Sequence, residues 1–250
     1  TEMNRRAFTR SALRSLTALA LIEGLQAHQL FGQDVKPIVD DWFKELDRLS
    51  KELKDQKLKD LAFQSALEKL YARVDLASLL KTLDFASGIN KKLVADWPAD
   101  KLAHQDTPCD NHPLWTIGHL GVSNHWFASI FDGQPAVDAK LEATYGGKSK
   151  PSASAADYPS LAETMKLYDQ GMARLKKALT SPKDPLSKPK QMADWVSDTI
   201  HAAQLAVWHE GWHGGKLSTL RRSLGLPGVV SATVLPAVVA PGQAGIFLEL

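Results

Sequence analysis

The chain is 250 residues long, 44% apolar and 23% charged. That balance fits one large globular domain or two small ones and excludes a disordered, collagenous or fibrous coiled-coil protein. Thirty basic against 28 acidic side chains leave a formal charge of +2, too even to argue for a nucleic-acid binder, and the single cysteine, Cys109, excludes an intramolecular disulfide and a multi-cysteine zinc site. Seven Trp and eight His are the unusual entries in the composition, and they cluster together.

The first segment, 1–33, supports two readings. Arg5-Arg6 with Phe8, followed by a weakly apolar stretch, is similar to a twin-arginine export signal, which would place the protein in the periplasm. Arg14 and Glu23 inside that stretch favour instead an amphipathic helix packed on a protein that stays in the cytoplasm. Nowhere is there an apolar run of the ~18 residues a transmembrane helix needs.

Segment 34–75 reads as a helical hairpin. Ile38, Trp42, Leu46, Leu49 and Leu53 recur at helical spacing; 54–60 reads as a break; Leu61, Leu67, Leu70 and Val74 form a second face. Four further helices are expected at 76–95, 113–131, 159–179 and 192–224. Asn111 or His112 caps the second, Pro113 opens it, and Gly225 with Pro227 ends the last. A long Gly/Ser/Pro/Ala-rich connection, 134–158, separates the middle two. The expected fold class is therefore all-α: an antiparallel four-helix bundle over 76–227, with a helical N-terminal extension and an extended, apolar C-terminal tail, 228–250. Exposing that tail would cost roughly 1.5–3 kcal/mol per large side chain, so it is expected in a groove of its own bundle or across a homodimer.

The chemistry concentrates on the second and fourth of these helices. His119 shares a helical face with Trp115, Val122 and Trp126; taken alone, it reads as a core histidine. His209 and His213 stand four apart, so their imidazoles stack on one face, an arrangement that suits a divalent metal. Leu205 and Leu217 continue that face inward. Zn²⁺ or Ni²⁺ follows most readily from imidazole preference, with Fe²⁺ third. Glu210 completes the string His-Glu-x-x-His of zincin proteases, but Thr219 stands where a third zincin histidine would lie, and Glu249 is the only later glutamate. The protease reading is set aside; Glu210 remains as a candidate catalytic base near a metal-bound water. The Trp cluster, Trp115, Trp126, Trp208 and Trp212, is expected as core and pocket wall.

Two strings, His-Pro-Leu-Trp-Thr-Ile-Gly-His-Leu at 112–120 and Trp-His-Glu-Gly-Trp-His-Gly-Gly-Lys-Leu at 208–217, resemble those of the DinB-like superfamily over about 76–227. The resemblance implies a metal-binding four-helix bundle with His119, His209 and His213 as ligands. It also implies a small-molecule substrate, since members include S-transferases and isomerases that use low-molecular-weight thiols; a thiol-dependent transferase or a hydrolase is the activity expected here. Three histidines leave an open coordination position, the mark of a catalytic site. The other readings are a metal-binding module without chemistry and an accessory subunit docking through the N-terminal helices and tail.

Overall fold

The computed structural model describes residues 36–53, 56–106, 111–182, 184–189 and 196–230. The export-like segment, Cys109 and the tail from residue 231 onward lie outside them. Among the described residues there are six α-helices and no strand: α1 (Lys36–Glu52), α2 (Gln56–Ala95), α3 (Pro113–Asp132), α4 (Ala139–Tyr145), α5 (Leu161–Thr180) and α6 (Thr199–Ser223). None of them is long and apolar enough to cross a membrane.

Local chemistry sets the helix ends. The His112 side chain accepts from the Trp115 N–H, Pro113 stands in the first turn, and Gly133 closes α3 at φ 72°. Ser160 and Glu163 form a reciprocal capping box at the start of α5. Asp198 caps α6 by accepting from the His201 N–H. That cap explains why α6 begins at Thr199 rather than near 192. Two further differences from the sequence reading concern α2 and α4. The second hairpin helix and the first bundle helix, read as separate pieces meeting at 75, form one uninterrupted helix of 40 residues, about 60 Å long. No proline or glycine interrupts 61–87, so nothing stops it. The long connection also contains a helix: Asp138 caps the seven residues of α4.

Side-chain pairs fix the helix directions. Asn90 of α2 meets Glu210 of α6, and further along Leu93 and Asp96 meet Arg221, so α2 and α6 run parallel. Gly121 lies against the Tyr168 backbone, a Cβ on Gly171 would overlap the Gly121 carbonyl, and Asp132 pairs with Arg174, so α3 and α5 are also parallel. The two pairs run antiparallel to each other: Lys176 reaches back to Asp84, and His119 faces His213 while Phe127 faces His209. Two parallel pairs cannot be joined by short turns alone. The long connection between α3 and α5 carries the chain back to the starting end, and Arg174 pins its first residues through the carbonyls of Gln134, Pro135 and Ala136.

The shared core contains Leu83, Leu93, Ile117, Leu120, Phe127, Tyr168, Leu175 and Leu217. A smaller cluster sits between α1 and the first half of α2, where Trp42 packs on Ala66 and Leu70, with Phe63 alongside. Arg221, 2% exposed, holds the end of α6 to the end of α2 through both Asp96 oxygens at 2.6 and 2.7 Å and the Leu93 carbonyl at 3.0 Å.

Candidate metal centre

α3 and α6 cross antiparallel with their histidine faces opposed. Each of His119, His209 and His213 offers a ring nitrogen that lies within 4.8 Å of the others. The two Nε2 atoms of His119 and His209 are 3.2 Å apart. Two ligands each ~2.1 Å from one ion at a tetrahedral angle would be about 3.4 Å apart, so this spacing matches a shared ion. The His119 tautomer is fixed from outside: its Nδ1–H donates to the Tyr145 carbonyl at 2.7 Å, which leaves the Nε2 lone pair facing the other two rings. Trp115 stacks on the His119 ring at 4.5 Å and 9°, and its own Nε1–H donates to Ser149. Gly118 makes room for this support, since a Cβ there would overlap the Tyr145 ring.

Burial keeps the three imidazoles neutral. Loss of water lowers the pKa of His119, and takes His209 to about 4 and His213 to about 2, with the neighbouring histidines adding to the shift. Neutral imidazole is the metal-binding form. Among the described residues the Nδ1 atoms of His209 and His213 have no hydrogen-bond partner, which leaves room for an outer partner. Three neutral imidazoles whose ring nitrogens converge fit a divalent ion.

A cavity of about 320 Å³ opens over His119 and His209, within the size range of small-molecule sites. Val122, Trp126, Phe127, Leu205 and Trp208 supply apolar wall, and Ser123, Glu142, Gly146 and Gly147 the remainder. Of the four tryptophans read as core and pocket wall, Trp115 is buried, while Trp126 and Trp208 line the cavity. Trp212 departs from that reading. It is 52% exposed, lies tilted at 40° against Trp208, and carries Lys216 over its ring. Its position one residue before His213 turns it about 100° off the histidine face.

Glu210 is placed differently from the three histidines. Its Oε2 accepts from Asn90 at 2.6 Å and from the Tyr168 hydroxyl at 2.6 Å, and its Oε1 accepts from Asn124 at 2.9 Å. Those partners come from α2, α5 and α3, so one buried carboxylate ties all four bundle helices. Burial raises its pKa, while the three donors pull the other way. The group whose ring nitrogens converge does not include it. The remaining histidines among the described residues have local duties: His112 caps α3 and donates to the Ser152 carbonyl, His125 faces Arg174, His104 pairs with Asp106, and His201 accepts from the Ser197 N–H.

Tyr145, Asn90, Asn124, Tyr168 and Glu142 were not singled out from the sequence. For Tyr145 and Glu142 a signal existed, since Asp138 three residues before Leu141 is an N-cap pattern. For the partners of Glu210 there was none, because each lies on a different helix.

Residues 82–217 match the DinB superfamily. The chain belongs to that family. The matched span takes in the last part of α2, α3, α4, α5 and most of α6, hence all three histidines. Comparison with curated proteins finds no match. This DinB-superfamily chain thus joins an all-helical fold to a three-histidine group that could hold a metal ion.

Proposed function

We propose that this DinB-superfamily protein is a metal-dependent enzyme that binds one divalent ion on His119, His209 and His213 and acts on a small molecule in the adjoining cavity. The observation that carries this reading is that three neutral imidazoles converge at the edge of a cavity of about 320 Å³, two of them forming its wall. Zn²⁺ or Ni²⁺ suits an all-imidazole set best, with Fe²⁺ next. When bound, such an ion supplies Lewis-acid polarisation and favours the deprotonated form of water or a thiol.

The chain's own groups bind and orient. The Tyr145 carbonyl and the Trp115 ring hold His119 in one tautomer and one plane. Trp126, Phe127 and Trp208 exclude water from the reacting end of the cavity. Glu210 enters this reading as a positioning residue: it fixes the turn of α6 that carries His209 and His213 instead of serving as proton acceptor, because both its oxygens are already occupied. Transfer to or from a low-molecular-weight thiol, or hydrolysis, is the reaction class.

The test is elemental analysis of the full chain after loading, followed by thiol-transfer and hydrolysis screens. One ion per chain is expected, falling below about a tenth in His213→Ala with helix content unchanged, and turnover in one screen that the variant lacks. One tightly bound ion with no turnover in any screen would favour the non-catalytic metal-binding module. Equal loading of the His213→Ala variant would remove the metal reading altogether.

A further inference from the structure

The cavity beside the histidines has one charged side chain in its wall, Glu142. Among the described residues its carboxylate makes no hydrogen bond and no ion pair, unlike the acidic residues of α1, which pair along their own helix. It lies against Gly146, where a Cβ would collide with it, and it acts electrostatically on His119. Its position relative to the histidines is fixed by a short path: Glu142 and Tyr145 are one turn apart on α4, and the Tyr145 carbonyl holds the His119 ring. It stands outside the converging ligand group. The rings of Trp126, Phe127 and Trp208 line the same cavity.

We infer that Glu142 selects the substrate, and that the cavity takes a molecule with a metal-binding donor atom at one end, an ammonium group at the other and an apolar spacer between. An unpaired carboxylate that shares a cavity wall with aromatic rings recognises a cation through charge and ring quadrupole together. A divalent ion on three neutral imidazoles repels a cation placed next to it. The ammonium group therefore belongs at the Glu142 side, and the uncharged or anionic donor at the histidine side. This inference rests on the metal reading above.

The experiment uses the full chain loaded with Co²⁺ and two rigid thiols of matched size, para-aminomethyl-thiophenol and para-mercaptophenylacetate. Thiolate-to-cobalt absorption reports binding of each, and cobalt content is measured on the same samples. The amine thiol should bind at least about tenfold more tightly at low ionic strength, as expected when a cation–carboxylate contact is gained in one probe and a like-charge contact is imposed in the other. Glu142→Gln should remove the preference for the amine thiol and Glu142→Lys should turn it into a preference for the carboxylate thiol, with cobalt content unchanged in both. Glu142 is exposed and unbonded, so neither substitution threatens the fold. Equal affinities in the native protein, a preference that survives in Glu142→Gln, or no thiolate band with either probe would overturn the inference while the metal reading stood. Failure of the native protein to retain cobalt would overturn both.

Discussion

Glu210 separates a catalytic from a positioning role at the level of one side chain. Replacing it with Gln keeps the volume but presents an amide N–H₂ where one carboxylate oxygen accepted, so a donor from Asn90, Asn124 or Tyr168 loses its acceptor. Leaving such a buried group unpaired costs about 1–3 kcal/mol, or roughly 3–10 °C in melting temperature for a chain of this size. Glu210→Gln should therefore lower the melting temperature by that amount while still binding one ion per chain. An unchanged melting temperature together with lost turnover would restore Glu210 as a base. The histidines were legible because His209 and His213 sit on one helix, where four-residue spacing alone puts them on one face. Glu210 is placed by contacts that the spacing does not show. Adjacency to His209 in sequence reads as adjacency in chemistry, but one residue along a helix is a turn of about 100°, and that turn carries Glu210 into the packed centre.

The elements divide into those whose ends are written locally and those whose ends are not. Caps at His112, Ser160 and Asp198 place three bundle helices within a few residues. The all-helical class, the long connection and the facing histidine helices all follow from periodicity and stop signals. The continuity of α2 does not, because the lysine- and aspartate-rich stretch at 54–60 resembles a loop although most of it lies within the helix. Nor does α4, which is too short to show a period. The parallel pairing of helices depends on contacts between distant residues such as Gly121 and Gly171, and a single-helix pattern carries no information on them. The length of α2 makes one prediction. Its first half packs on α1 through Trp42, 4% exposed, with Ala66 and Leu70, and reaches the rest of the chain through the Lys69–Asp184 ion pair. Trp42→Ala should release α1 at a cost of about 3 kcal/mol, the low end for such a truncation, because the Trp42 indole N–H is buried without a partner. Hydrogen exchange should show lost protection across Lys36–Glu52 with metal stoichiometry unaffected. Loss of metal binding in that variant would mean that α1 supports the bundle as a whole.

For the molecule as a whole, the buried imidazoles make stability depend on pH. His209 and His213 have folded-state pKa values of about 4 and about 2 against 6.5 for the free group, and His119 is also lowered. Between 6.5 and these lower values the unfolded chain binds more protons than the folded one, so stability is fully present above about 6.5 and declines as the pH falls. Glu210 works in the opposite sense, because its raised pKa lets the folded state take up a proton first. Three histidines against one carboxylate leave a net loss. The metal-free protein should melt at progressively lower temperature from pH 6.5 to pH 4. In His119→Gln/His209→Gln/His213→Gln the slope should flatten. An equally steep slope in that variant would place the sensitivity elsewhere.

Parallel pairing also bears on how the chain reaches its fold. Asn90 and Glu210 are 120 residues apart, so α2 cannot meet its main partner by closing a local hairpin. High contact order slows folding, and refolding in milliseconds or longer is expected by stopped-flow fluorescence, where microsecond refolding would contradict it. During synthesis the delay is longer still. At about 5–20 residues per second, those 120 residues take roughly 6–24 s to emerge, and for that interval the part of the apolar face of α2 that α1 does not cover waits for α6. A bundle wired in this order completes its core only once α6 has left the ribosome.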